Sequence, residues 1–400
     1  MILRFLSAVF VFCVALCEYP AMADEKQDLR NRAREEAVRT AGFERALSKE
    51  MPEQVRELPN FGRIDWRVTT MPFIKAGPHA GVSGAGMVAL DGSIYFLAGF
   101  IPAGDGTDHA SYRTSRWVHR FDSLTGRWSQ LPDLPGRREY TRAIASDGNV
   151  FLLGGGIQKP TPDVNYESRN EVFRFSASAE SPHWQKVASL NVPRTHMAVG
   201  VAKGHLIVVG GNRYQFADGG YSSRTIQGVT ETFETAKPEN GWSQRAPIPG
   251  APRGWCASAS LNGRLYVLGG LSFTPTEEGV RGPKIKHAEA LAYDPVGDQW
   301  TRLADPPMAV SGWEAAPYRG RYIIAIGGVS KRWSDLAFVY DTKDDRWMKM
   351  ENPLPVGGVV NDAGVCVIGD TIYIAGGEGP GGSHFNHFLI GKIQRNEIQQ

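Results

Sequence analysis

Three arginines occupy the same place in a repeated pattern of this sequence. Arg138, Arg194 and Arg253 each stand ten residues before the glycine of a predicted tight turn. If their side chains converge, they can clamp a carboxylate or a sulfate through bidentate hydrogen bonds. The other interpretation is structural, because the five donors of an arginine also suit loop carbonyls between neighbouring units. The sequence leaves both interpretations open, and we take the three arginines as candidate ligand contacts.

Aromatic and polar residues lie two positions after these arginines and near the equivalent points of the later repeats. They are Tyr140, His196, Trp255, the pair Trp313-Glu314 and the pair Asn361-Asp362. Rings that stack on the C–H faces of a sugar, together with polar groups that bind its hydroxyls, are typical of saccharide sites. We therefore predict that Tyr140, Trp255 and Asp362 contact a saccharide.

Two residues of this set are candidates for proton transfer. His196 has a side chain whose charge changes near neutral pH. Glu314 follows Trp313, and burial beside that ring would raise its pKa toward neutrality. Each has a simpler alternative, since a histidine is often a hydrogen-bonded structural residue and a glutamate often pairs with an arginine. We predict His196 and Glu314 as the catalytic residues of any reaction at this place.

Long segments follow several of the predicted strands. They span residues 100–116, 156–170, 212–228 and 271–288. Connections of this length inside a compact repeat usually carry function, and these are rich in side chains that recognise polar ligands. Arg213 lies in the third segment, and we add it to the predicted ligand contacts.

The elements that must position these residues repeat six times. Each copy contains an apolar run that ends in glycine and follows a tight turn such as Asp147-Gly148, which is a strong hairpin signal. A third run and then a strand that opens with tryptophan come next. The apolar runs are 94–100, 150–155, 206–211, 265–270, 322–328 and 372–377, and the tryptophans are Trp128, Trp184, Trp242, Trp300 and Trp347. Four strands per unit at this spacing predict the blades of a β-propeller.

The sixth copy ends before its tryptophan strand. The missing strand is found near the N-terminus, where 64–72 matches 127–135 with Trp66 in register. We therefore predict that the N-terminal strand completes the last blade, which removes a free sheet edge.

The glycine pairs, the aromatic-Asp ends and the tryptophan spacing resemble kelch repeats over residues 61–394. The resemblance implies an all-β, six-bladed kelch β-propeller. The apolar stripe of residues 24–60 predicts a helical N-terminal extension before it. A propeller fold says little about activity. The exported single-domain form also resembles the bacterial N-acetylneuraminate epimerase (sialic acid mutarotase) group, which would imply anomer exchange by acid/base proton transfer.

Two functions stay open at this point. The first is an exported propeller that binds a polar or anionic saccharide, with mutarotase or epimerase activity as the catalytic form. The second is a non-catalytic propeller that binds a protein or a glycan, as kelch propellers mostly do. We expect no cofactor and no metal site, since His384, His387 and Asp362 lack the spacing of a standard zinc site.

The domain organisation follows from composition. Residues 1–23 have the build of a secretory signal peptide, with Arg4, an apolar run and Ala21-Met22-Ala23, so a secreted or periplasmic protein is expected. The apolar run is too short to span a bilayer. Residues 24–60 read as a helical or partly disordered extension, 61–394 as the propeller and 395–400 as a tail.

The charge of the chain argues against nucleic-acid binding, and the positions of its cysteines argue against a disulfide. The formal net charge is +2, and no basic run is present, so nucleic-acid binding is not expected. Beyond the predicted signal peptide only Cys256 and Cys366 remain, and they fall in repeats that are not neighbours. We predict two buried thiols rather than a disulfide.

Overall fold

In the part of the chain that the structure describes, the regular secondary structure is almost entirely β-strand. The computed structural model describes residues 46–74, 81–101, 114–158, 166–179, 182–216, 223–274, 282–355, 360–379 and 383–396. The predicted signal peptide, residues 24–45 of the predicted extension and the last four residues of the predicted tail lie outside this part.

The N-terminal part of the described chain lies against the strands around Trp333. A 3-10 helix (Leu47–Glu50) and a one-turn helix α1 (Glu53–Arg56) precede strand β1 (Asn60–Thr70). The amide of Leu47 donates to the carbonyl of Trp333. The described part of the predicted helical extension therefore contains two single turns instead of one helix, because Met51 and Pro52 have an extended backbone.

Four antiparallel four-stranded sheets follow, and two-stranded hairpins accompany three of them. The first sheet contains β2 (Gly86–Leu90), β3 (Ser93–Leu97), β4 (Val118–Asp122) and β5 (Arg127–Gln130). The second has β6 (Arg142–Ser146), β7 (Asn149–Leu153), β10 (Val172–Ser176) and β11 (Trp184–Val187), with the hairpin β8 (Gly156–Gln158) and β9 (Tyr166–Ser168).

The third and fourth sheets repeat the plan of the second. The third has β12 (Ala198–Ala202), β13 (His205–Val209), β16 (Thr230–Glu234) and β17 (Trp242–Arg245), with the hairpin β14 (Asn212–Gln215) and β15 (Ser223–Ile226) and a 3-10 helix (Pro238–Asn240). The fourth has β18 (Ala257–Leu261), β19 (Arg264–Leu268), β22 (Ala290–Asp294) and β23 (Gln299–Arg302), with the hairpin β20 (Leu271–Phe273) and β21 (Lys284–Lys286).

The remaining strands form one eight-stranded sheet. Its members are β24 (Ser311–Tyr318), β25 (Tyr322–Val329), β26 (Ala337–Asp341), β27 (Arg346–Met350), β28 (Gly364–Ile368), β29 (Thr371–Ala375), β32 (His387–Arg395) and β1. A short pair, β30 (Glu378–Gly379) and β31 (Ser383–His384), accompanies it. Strand β1 pairs antiparallel with β32, with Trp66 opposite Gly391, and touches β27 in parallel only near Asn60 and Gly62.

The innermost strands surround a central channel. Strands β2, β6, β12, β18, β24 and β28 contact one another in that order, and β28 returns to β2. Apolar side chains fill the spaces between neighbouring sheets, so the core is divided into several clusters. The structure is therefore an all-β propeller.

The tryptophans of the fourth strands tie neighbouring sheets together. The indole N–H of Trp184 donates to the carbonyl of Pro132 at 3.0 Å, and that of Trp242 donates to the carbonyl of Ala188 at 2.8 Å. Trp300 and Trp347 repeat the bond with the preceding sheet. An indole packs as an apolar wedge while its N–H satisfies a loop carbonyl, which explains its recurrence.

The structure shows the state of the two cysteines and the character of the described helices. Cys256 and Cys366 are both buried and free, as predicted. Burial raises the pKa of the Cys256 thiol to about 12, so this thiol is not nucleophilic at neutral pH. In the described ranges, no helix has the length and apolar character needed to cross a membrane.

Candidate functional site

Six residues at one end of the channel share an unusual backbone conformation. We call them the mouth ring: Gly84, Tyr140, His196, Trp255, Gly312 and Asp362, with φ between 48° and 68°. Five of them lie two residues before an innermost strand, and Gly312 is the second residue of the innermost strand β24. Residues other than glycine adopt positive φ rarely and at a cost, so four such residues at equivalent positions indicate a constraint from their surroundings.

A closed circle of main-chain hydrogen bonds supplies that constraint. Five bonds join one member to the next through an amide that donates to the preceding carbonyl, and Thr141, the neighbour of Tyr140, donates the sixth; the distances are 2.8 to 3.3 Å. The bonds run from Gly84 N to Asp362 O, Thr141 N to Gly84 O, His196 N to Tyr140 O, Trp255 N to His196 O, Gly312 N to Trp255 O and Asp362 N to Gly312 O. The scaffold of the mouth is therefore made by backbone, and it leaves the side chains available to a ligand.

Three side chains of the mouth ring form an aromatic arc. The ring centroids of Tyr140 and His196 are 4.1 Å apart, and those of His196 and Trp255 are 4.4 Å apart. The hydroxyl of Thr195 lies 2.8 Å from Nδ1 of His196. Burial and the charges of Arg142 and Arg224 hold the pKa of His196 well below its ordinary value. The imidazole is therefore neutral at physiological pH, which suits stacking better than proton uptake.

The hairpins β14–β15 and β20–β21 build a basic wall above the arc. The guanidinium of Arg224 lies 4.1 Å from the ring centroid of Phe273 and 5.2 Å from that of Trp255, and it donates to the hydroxyl of Tyr214 at 3.1 Å. Lys284 and Lys286 line the same wall. Stacking on two rings fixes the direction of the Arg224 side chain.

An acidic side faces this wall. Asp362 and Glu378 line it, and the amide nitrogen of Asn361 lies 3.0 Å from Oδ2 of Asp362 and 3.4 Å from Oε2 of Glu378. Burial and the charge of Glu378 raise the pKa of Asp362 well above its ordinary value. Burial also raises the pKa of Glu378, against the hydrogen bond from Asn361 and the charge of Lys284.

These three surfaces enclose a cavity, which we call the mouth recess. Its volume is about 390 Å³. The lining also includes Glu139, Tyr166, Leu271, Ser311, Val329 and Trp333. A recess of this size, with aromatic rings and charged groups of both signs, suits one side chain of a partner or one small polar molecule.

An ion pair crosses the channel below the mouth recess. Nη1 of Arg142 lies 2.7 Å from Oε1 of Glu314, and Nε of Arg142 donates to the carbonyl of Met197. The two residues come from β6 and β24, which stand three places apart in the cycle of inner strands. Small side chains line the surrounding cavity of about 300 Å³. This pair joins opposite sides of the propeller and supports the floor of the mouth recess.

The structure brings four of the predicted site residues together. Tyr140, His196, Trp255 and Asp362 all line the mouth recess. Glu314 does not line the mouth recess but lies in the channel. Burial raises the pKa of its carboxyl group, against the opposing charge and hydrogen bond of Arg142. The sequence-based alternative for Glu314, an ion pair with an arginine, therefore matches the observed geometry.

The structure does not gather the three recurring arginines at the mouth recess. The fully buried guanidinium of Arg194 contacts the carboxylate of Glu231 and the carbonyls of Gly210 and Val229. Arg253 contacts Glu289 at 2.5 Å. Arg138 contacts Glu171 at 2.9 Å and lies in a separate surface cavity. Each guanidinium therefore contacts a glutamate in or next to the third strand of its own sheet.

Arg213 is also outside the mouth recess. It is exposed on β14, whereas its neighbour Tyr214 is buried and lines the recess. Side chains alternate along a strand, so Tyr214 and Arg213 must face opposite ways.

Sequence reasoning missed Arg142, Arg224 and Glu378 as parts of the site. Arg224 is paired with Tyr214 in the β14–β15 hairpin, and alternation along that hairpin is the signal that could have found it. Arg142 is paired with a residue 172 positions away, and no local pattern carries that information. In the described residues no cluster of three His, Cys, Asp or Glu side chains could hold a metal ion.

Comparison with known proteins agrees with the sheet arrangement. The family model of the Kelch motif matches residues 81–135 and 252–307. Similar proteins include the Kelch-like protein terF of Aspergillus terreus, 27% identical over 62% of this chain and 50% of that protein. Kelch-like protein 35 of Mus musculus is 29% identical over 63% of this chain. The Kelch repeat and BTB domain-containing protein 1 of Cowpox virus is 26% identical over 65%.

The matches span half or less of these relatives: 50% of terF, 40% of the viral protein and 37% of the mouse protein. The two segments that the family model matches coincide with the first and fourth sheets, β2–β5 and β18–β23. With its repeated sheets around one channel, this chain is a β-propeller that carries Kelch motifs in its first and fourth sheets.

Proposed function

We propose that this protein is a non-catalytic binding module whose mouth recess receives a segment of a partner protein. The observation that carries the proposal is the mouth ring, which presents Tyr140, His196 and Trp255 as a stacked arc on a fixed backbone. Aromatic and arginine side chains in a desolvated pocket dominate the free energy of many protein interfaces. A preorganised backbone reduces the ordering that binding must otherwise supply. The likeness to Kelch-like proteins supports the same assignment.

Peptide display tests the proposal. Random peptides are selected on the wild-type protein and then measured on Trp255→Asn, because asparagine tolerates the positive φ of this position. Leu124→Ala serves as the control, since Leu124 is 94% exposed and outside the mouth recess. We expect peptides that lose roughly ten-fold or more in affinity on Trp255→Asn, about 1.4 kcal/mol, and keep it on Leu124→Ala. A selection that yields no Trp255-dependent peptide contradicts the proposal.

A saccharide is the second candidate ligand, and one observation favours it. The stacked arc lies beside Asp362, a buried carboxyl group whose pKa is raised well above its ordinary value by burial and by the charge of Glu378, which favours its protonated form. Such a group can exchange protons with a ring oxygen or an anomeric hydroxyl. In this candidate function, an N-acetylneuraminate mutarotase or epimerase, Asp362 and Glu378 take the role that the sequence suggested for Glu314.

Proton NMR of sialic acid separates this candidate from the first. Catalysis predicts that anomer exchange is faster with the protein than in buffer and returns to the buffer rate with Asp362→Asn. The Arg213→Ala variant is the control, since Arg213 is exposed outside the mouth recess. If anomer exchange is no faster with the wild-type protein than in buffer, the catalytic candidate is wrong.

The propeller is proposed to have six blades and to be exported. The cyclic contact of six inner strands supports the count of six. The eight-stranded sheet then counts as two blades, one of β24–β27 and one of β28, β29, β32 and β1.

The composition of residues 1–23 supports export. Secretion of the full chain with a mature N-terminus at Asp24 would agree with it, and intracellular retention of the whole chain would not.

A further inference from the structure

The two acids of the mouth recess, Asp362 and Glu378, differ from three other acids in the described part of the molecule. Glu231, Asp341 and Glu314 are each held by an arginine: Arg194, Arg321 and Arg142. Among the described residues, neither Asp362 nor Glu378 has an arginine or lysine within ion-pair distance. Their one hydrogen-bonding partner in common is the amide of Asn361. A neutral amide does not balance two buried carboxylates.

Asp362 is both strongly buried and directed at the cavity. Its side chain is 4% exposed and lines the mouth recess. Oδ2 accepts the hydrogen bond of Asn361, which leaves Oδ1 to the recess. The absence of a side chain at Gly312 allows this arrangement, because a Cβ atom there would collide with the amide of Asn361. The geometry thus holds a carboxylate in a desolvated place, which is unfavourable without a cation.

We propose that Asp362 and Glu378 form a subsite for a cationic group, the guanidinium or primary ammonium of a basic side chain on the partner segment. This inference rests on the proposed protein-binding function and specifies the chemistry of the anchoring residue. Two carboxylates can accept a guanidinium through paired, charge-assisted hydrogen bonds. The aromatic arc beside them can cover the flat face of the same cation.

The basic side chains of the recess engage groups other than the two acids. Arg224 donates to the hydroxyl of Tyr214, and Lys286 donates to the carbonyl of Ser330, so both have acceptors within the protein. Lys284 is exposed, and its charge lowers the pKa of Glu378 against the larger effect of burial. A cation on the partner would therefore meet two acids that no arginine holds.

Two small probes test the subsite directly. N-acetyl-L-arginine amide and N-acetyl-L-citrulline amide have nearly the same shape, but only the first carries a charge. By calorimetry or NMR titration on the full chain, we expect the arginine derivative to bind at least about ten-fold more tightly, a difference of about 1.4 kcal/mol. The preference should disappear in Asp362→Asn, whose asparagine tolerates the positive φ. It should persist in the control Asp305→Asn, which removes an exposed acid paired with Arg302.

Each result either supports or overturns the inference. Equal binding of the two derivatives, a preference that survives in Asp362→Asn, or no binding of either up to about 10 mM overturns it. The peptides selected above give a second measurement, since their Trp255-dependent members should share a lysine or arginine. Trp255-dependent peptides without a basic residue would overturn the cationic subsite and leave the binding function intact. A selection with no Trp255-dependent peptide removes the binding function itself.

Discussion

Two positions separate Arg194 from His196, yet the two side chains belong to different regions of the molecule. Arg194 is fully buried, and Glu231 and main-chain carbonyls of its own sheet engage its guanidinium. His196 lines the mouth recess. Arg253 and Trp255 repeat the contrast. Residues two apart share a face in an extended strand, whereas the second position here has a positive φ. These arginines thus make contacts within their own sheets, and the mouth ring supplies side chains to the recess.

The largest expected effect tests the structural side of this contrast. Arg194→Ala leaves the carboxylate of Glu231 buried without its cation, and we expect a loss of about 3–5 kcal/mol in the free energy of unfolding. Chemical denaturation measures it. The double variant Arg194→Met with Glu231→Leu should recover much of the loss, because it removes both charges. A single variant that loses less than about 1 kcal/mol would place Arg194 outside the structural group.

A smaller effect of opposite sign is expected on the mouth side. Burial and Glu378 raise the pKa of Asp362, so between its ordinary and raised pKa the native state binds more protons than the unfolded chain. Wild-type stability therefore falls as pH rises through that window. Asp362→Asn removes the charge and should stabilise the protein by about 0.5–2 kcal/mol at pH 7.

The pH dependence is the control for this prediction. Below about pH 4 the carboxyl group is largely protonated even in the unfolded chain, and the gain should vanish. Thermal unfolding at the two pH values measures it. An equal gain at both would mean that the charge of Asp362 is not its cause.

The smallest effect is expected at Arg213. Its side chain is exposed on β14 and lies in neither region. Arg213→Ala should change the free energy of unfolding by less than about 0.5 kcal/mol and leave binding of a Trp255-dependent peptide unchanged. A clear loss of affinity in the peptide titration would extend the binding surface beyond the mouth recess.

The repeated local signals made the fold predictable. Turn glycines such as Gly148, the apolar runs and the tryptophan spacing are short-range patterns, and they specify strands and hairpins directly. Trp66 showed that an N-terminal strand belongs with the last repeat, and β1 pairs with β32. The fold could be predicted because every copy of the repeat carries the same pattern.

The site was predictable only in part. Tyr140, His196, Trp255 and Asp362 were found through their equivalent positions, and they do line one recess. The arginines were predicted to converge because they recur at one place of the repeat, but each contacts a glutamate of its own sheet outside the recess. Arg142 and Glu314 meet across the channel, and their pairing depends on the arrangement of whole sheets. Such long-range contacts leave no local signal in one sequence.

The closed circle of main-chain bonds has a consequence for how such a surface can change. Because amides and carbonyls hold the circle, exchanging a side chain at Tyr140, His196, Trp255 or Asp362 leaves its connections in place. At these four positions the side chain can change while the main-chain bonds remain, and asparagine and glycine are the least strained replacements. New specificities can therefore be grafted or evolved here without redesigning the blades.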